Sequence, residues 1–116
     1  MKYVMLFCGT LADQTAFDAL SPDELRRRYA AVGRWFAENR ERLGAGNQLQ
    51  GPDAATTVRF DSNGKAIVKD GLFLEGKEIV GGYTEINVSD LDEALAVAKG
   101  WPGGGTVEIR PVVERR

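Results

Sequence analysis

Residues 70–83, Asp70-Gly71-Leu72-Phe73-Leu74-Glu75-Gly76-Lys77-Glu78-Ile79-Val80-Gly81-Gly82-Tyr83, gather more chemistry than any other stretch of the chain. A turn at Asp70-Gly71 leads into a loop phenylalanine, Phe73, then the charges Glu75, Lys77 and Glu78, then a glycine pair that opens a strand. Glycine weakens a strand interior, so two in succession point to a bulge or to the close approach of another backbone or a ligand. Beside such a gap Glu75 or Glu78 can serve as the base, Lys77 can hold an anion, and Asp70, Phe73 and Tyr83 can frame the mouth. Arg110, on the last strand, is a second anion-holding candidate, and Asn39 is a polar residue expected to face inwards. A plainer reading stays open: a surface loop of solvated charges whose glycines let the sheet curve, with Asn39 and Arg110 as satisfied structural groups.

Composition limits what such a site can do. The 116 residues include 15 Lys and Arg, 17 Asp and Glu, one cysteine and no histidine, for a net charge of −2. Without histidine there is no Ser-His-Asp or Cys-His pair, no imidazole acid–base chemistry and little scope for a transition-metal site. One cysteine excludes an internal disulfide and cysteine-rich zinc sites. Cys8 ends an apolar strand, where a nucleophile can be exposed, but with nothing to activate it a small core residue is the better reading. The Gly103-Gly104-Gly105 loop is no phosphate cradle, since no Gly-Lys-Ser/Thr follows and the next element is a strand. What remains is cofactor-free, metal-free carboxylate chemistry on an activated substrate: elimination or isomerisation, the work of a lyase or isomerase.

The elements that must position these groups are legible in outline. A first strand over 2–8 is apolar on both faces, Tyr3, Met5 and Phe7 on one and Val4, Leu6 and Cys8 on the other, so both need covering. Helices of the chain can supply one layer; a second subunit is the simplest source of the other. Ser21-Pro22-Asp23-Glu24 starts a helix, with Leu25, Tyr29, Val32, Phe36 and Leu43 as its apolar stripe and Asn39 on the same line. Its Arg26-Arg27-Arg28 cluster pairs at four-residue spacing with Asp23 and Glu24, which makes a salt-laced face rather than a nucleic-acid patch; the acidic balance argues the same way. Asn63-Gly64 between β-prone runs marks a hairpin. A strand over 79–88, a helix capped by Ser89 and a strand over 106–113 complete the chain, with residues 44–52 read as a glycine-rich loop. The result is a single α+β domain, residues 1–116: a ferredoxin-like antiparallel sheet with two helices on one face and an added hairpin strand. The apolar N-terminus spans about eight residues, too short for a membrane span of roughly 20, and lacks a cleavage pattern. A cytoplasmic protein is expected.

The stretch from Asp70 to Tyr83 resembles the hallmark of DGPF-domain proteins within the YCII-related family. The likeness continues through Met1-Lys2-Tyr3, Thr56-Thr57-Val58-Arg59, Asp90-Leu91-Asp92-Glu93-Ala94-Leu95 and Val107-Glu108-Ile109-Arg110-Pro111-Val112. It implies a homodimer of the dimeric α/β-barrel type. Leu72 stands where the family motif has proline, which leaves the turn less rigid. The histidine–aspartate pair proposed for some members has no counterpart in a chain without histidine. Most of the family has no assigned activity; one branch includes an enzyme that removes chloride from a chlorinated aromatic, and DGPF proteins are often encoded beside certain sigma factors. Two functions are therefore expected of different classes. The first is a pocket for a small organic molecule. The second is a regulatory, transcription-linked interaction module that catalyses nothing and uses Trp35 and Trp101 as anchors for a protein partner.

Overall fold

The computed structural model describes residues 1–71 and 78–115. In chain order the elements are β1 (Lys2–Gly9), α1 (Leu11–Asp18), α2 (Pro22–Glu38), β2 (Leu43–Gln48), a single 3-10 turn at Pro52–Ala54, β3 (Thr56–Phe60), β4 (Ala66–Asp70), β5 (Ile79–Asn87), α3 (Leu91–Lys99) and β6 (Thr106–Pro111). Four strands form an antiparallel sheet in the order β2-β5-β1-β6. α2 joins β1 to β2 and α3 joins β5 to β6, each crossing over one intervening strand, a path consistent with a ferredoxin-like chain. Among the described residues the sheet does not close into a barrel. β3 and β4 pair only with each other, so the hairpin is a separate two-stranded ribbon rather than an added strand of the main sheet.

Alternation in β1 decides where the core lies. Tyr3, Met5 and Phe7 point towards the helices, opposite Ile86, Thr84 and Gly82 on β5. Trp35 from α2 and Ala94 and Val97 from α3 close over them. The Trp35 indole N–H donates to the Val97 carbonyl at 3.0 Å, which lets so large an amphipathic ring be buried without leaving its N–H unpaired. Phe7 and Trp101 pack edge-on against it and lie tilted over each other, their own ring centroids 4.1 Å apart.

Several expectations need correcting. Leu25, Val32 and Asn39 are part-buried as the stripe requires, but Trp35 is 3 % exposed while Phe36 is 40 % exposed and Tyr29 is exposed too, so the stripe is closed by Trp35 rather than by the two aromatic residues expected on it. Residues 35 and 36 are one step apart, about 100° on a helix, and the helix settles on whichever ring the sheet and α3 can enclose. This burial removes Trp35 as an anchor for a partner. α2 ends at Glu38, not near Leu43, because Asn39 caps it and its amide donates back to the Trp35 carbonyl at 2.8 Å. Residues 43–48, expected to be loop, form β2; Gly46 is needed there, since a Cβ would lie 2.4 Å from the Tyr83 carbonyl oxygen. α1 gave no periodic signal because none of its residues is buried, and a Thr10–Asp13 capping box defines its start. α3 is capped by Asp90 rather than Ser89, whose hydroxyl instead donates to Glu93. On α2, Arg26 pairs with Asp23, and Arg28 lies over the Phe17 ring at 6.0 Å. The Ser21 hydroxyl and backbone hold the Glu24 carboxyl below its ordinary pKa, with Arg27 helping.

Trp35→Ala is expected to cost about 3–5 kcal/mol of folding stability. Phe36→Ala, one residue along, is expected to cost less than about 2 kcal/mol. Urea unfolding of both variants checks the assignment of the buried face.

Candidate functional site

On the side of the sheet away from the helices, strand pairing sets three rungs across β5, β1 and β6. They are Glu85–Val4–Arg110, Tyr83–Leu6–Glu108 and Val80–Cys8–Thr106. Each rung is apolar in its middle, and the polar groups stand mainly at the sides. Val4, Leu6, Arg110, Pro111 and Val112 line a groove of about 290 Å³ on this face. Lys2 sits 3.9 Å from Glu85. Among the described residues no carboxylate and no hydrogen-bond acceptor holds the Arg110 guanidinium. An arginine beside apolar surface, with five donors unspent, is suited to a planar anion.

The bottom rung depends on the glycine pair. Pairing skips a residue on β5 between Gly82, opposite Phe7, and Val80, opposite Cys8, so Gly81 is the extra residue of a bulge. The skip puts Val80 on the open face beside Cys8. Gly82 is a second place where β2 runs close to β5, its Cβ position 3.0 Å from the Asn47 carbonyl oxygen. Glu78, just before β5, accepts a hydrogen bond from the Thr106 hydroxyl at 2.8 Å. Partial burial pushes the Cys8 thiol pKa up, and the neighbouring charges of Glu78 and Glu108 push it the same way. Such a thiol stays protonated, the opposite of what a nucleophile needs.

The structure draws some of the expected site residues together and separates others. Tyr83 and Arg110 share the open face, with Glu78 at its end. The Tyr83 hydroxyl accepts a hydrogen bond from the Asn47 amide at 3.1 Å. Asp70 ends β4, out on the hairpin ribbon. Asn39 belongs to the end of α2 and spends its amide on Trp35. Phe73, Glu75 and Lys77 lie outside the described residues. Sequence reasoning put Val4 and Leu6 on the strand face that the helices leave uncovered, but did not name them or Glu108 as site residues. Their signal was the two-faced first strand and the shared parity of Glu108 and Arg110, but only the register shows which residues meet. A second depression, about 320 Å³ between α3 and β6, is walled by Leu95, Ala98, Trp101, Val107 and Ile109. Among the described residues no group of three or more Asp, Glu or Cys side chains is placed to hold a metal ion, and no helix is long and apolar enough to cross a membrane.

The model of the YCII-related domain matches residues 1–116. The chain belongs to the YCII-related family. It is 34 % identical over 116 residues to an uncharacterized protein of Rhizobium meliloti (strain 1021), a match covering 97 % of this chain and 92 % of that protein. The YCII-related match therefore places the chain in a family without assigning it a reaction.

Removing either negative neighbour should lower the Cys8 pKa. Glu78→Gln and Glu108→Gln are each expected to shift the pH midpoint of iodoacetamide alkylation downwards from that of the unmodified protein. The unmodified thiol itself is expected to titrate above free cysteine in the same buffer.

Proposed function

We propose that this YCII-related protein is a homodimer that binds a small organic anion between its sheets, with Arg110 on the anion and Val4 and Leu6 against its apolar body. The observation that carries this reading is the Arg110 guanidinium, held by no acceptor among the described residues, directly opposite Val4 on a sheet face that none of the described helices covers. Val4 and Leu6 are only half buried. A second copy laid on this face removes them from water, and two sheets facing each other give the dimeric α/β-barrel type that the family resemblance implies. Covering the face also lowers the local dielectric, which strengthens an arginine–carboxylate pair formed there.

Within this reading Tyr83 and Glu108 flank the ligand's apolar end, one rung below Arg110. This reading gives proton transfer to Glu108, since Glu78, bonded to the Thr106 hydroxyl, stands two rungs from Arg110, about 13 Å along the strands. A proton taken next to an activating group would support elimination or isomerisation without a cofactor. The plainer alternative, a surface of solvated charges, accounts less well for an apolar centre under an arginine that no described residue pairs with.

Benzoate, phenylacetate and isovalerate, titrated calorimetrically, test the ligand class. At least one should bind, and Arg110→Gln should weaken it about tenfold or more, the worth of a charge-assisted hydrogen bond. Binding by none of them at millimolar concentration, or equal binding by the variant, overturns the reading. Light scattering at micromolar concentration should show a dimer, and Leu6→Glu should return a monomer.

A further inference from the structure

The ribbon of β3 and β4 stands apart from the core. Its register pairs Val58 with Val68 and Phe60 with Ala66, so these four side chains share one face. Val58 is 51 % exposed, Phe60 67 % and Val68 66 %, the highest exposures among the large hydrophobic residues of the described strands. The opposite face carries Thr57, Arg59, Ile67 and Lys69. The Asp61-Ser62-Asn63-Gly64 turn is well made: the Asp61 carboxylate accepts from the Asn63 and Lys65 N–H groups at 2.9 Å each, and Gly64 takes φ +80°. At the base, the Gly71 N–H donates to the Ala55 carbonyl and the Thr57 hydroxyl to the Gly71 carbonyl. A two-stranded ribbon is marginal in water by itself, so a well-formed one with a bare apolar face calls for a surface to lie on.

The chain is correspondingly spread out. Its radius of gyration is 16.3 Å, against about 13 Å for a compact domain of this length. We propose that each hairpin is an arm that packs its Val58–Phe60–Val68 face onto a second copy of this chain. The inference rests on the dimer reading above and adds a second contact to it.

Interface size is the reason to choose a second copy as the occupant. The open sheet face spans four strands about 4.8 Å apart and some six residues of about 3.3 Å each, an outline of roughly 400 Å². A stable interface takes about 800 Å² from each partner. Side-chain relief raises the accessible area above the outline, but the flanks of this face, with Glu85, Glu108 and Arg110, are charged and suit a wet rim. Two arms, one from each copy, bring further apolar surface to the same pair of molecules. The exchange closes under two-fold symmetry, leaving no arm free to recruit a third copy.

The test replaces Val58→Lys together with Val68→Glu. The two positions face each other across the ribbon, so the pair of opposite charges preserves the hairpin while removing its apolar face. Sedimentation equilibrium gives the dimer dissociation constant, and circular dichroism melting checks the fold. Weakening of thirtyfold or more with an unchanged spectrum is expected, together with amide-exchange protection of 58–60 and 66–68 that rises with protein concentration. If the unmodified protein dimerises and the variant does so within threefold of it, the arm proposal falls and the dimer reading stands. The same holds if the arm amides stay unprotected in the dimer, which would point to another partner for the ribbon. An unmodified protein that is monomeric overturns both.

Discussion

β1 must lose water on two sides at once, because Tyr3, Met5 and Phe7 alternate with Val4, Leu6 and Cys8 along it and it has a strand on either edge. The helices satisfy one side only. From that imbalance follow the position of the core and the open groove, and the proposed dimer rests on it. On the covered side the sheet presents small residues, Gly82 and Thr84, opposite Phe7 and Met5, and this leaves room for the Trp35 ring. Its bond to the Val97 carbonyl then ties α2 to α3. The helix layer is held to the sheet by few buried side chains among the described residues, of which this indole is the largest.

Much of this was open to reading from residue types, and what was not has definite physical causes. β1, the Asn63-Gly64 hairpin, the start of α2 at Ser21 and the existence of α3 all carry local signals: alternation, a turn that demands positive φ, a capping box and helical spacing. β2 carries none. Leu43-Gly44-Ala45-Gly46-Asn47-Gln48 has no β-branched residue, and it is a strand because β5 offers an edge and Gly46 permits the approach. α1 is invisible for the reverse reason: it buries nothing, so no pattern was needed. Between Trp35 and Phe36 the sequence is neutral, since either ring completes a plausible stripe, and only packing separates them.

The candidate site shows the same division. That histidine-based chemistry is impossible was plain from composition, and Arg110 and Tyr83 were recognisable as polar groups of interest. Their meeting on one face depends on register, which is a long-range property: Arg110 stands opposite Val4 and Tyr83 opposite Leu6, although each pair is far apart in the chain. Asn39 shows the hazard of reading a polar residue on an apolar stripe as a ligand-binding group. Its position is explained by the helix it terminates.

Gly81 separates two things that a β-ladder usually binds together, the number of residues in a strand and the side each residue faces. Without the bulge, a chain of this length would bring Gly81 opposite Cys8 and turn Val80 towards the helices. With it, the residues on either side of Gly81 keep their partners, Phe7 with Gly82 and Cys8 with Val80. A chain one residue shorter at this point could keep the same pairings, losing mainly the bond from the Leu49 N–H to the Gly81 carbonyl. Gly81 is thus a place where the gene could drop or regain a codon and leave the inner and outer surfaces of the sheet as they are.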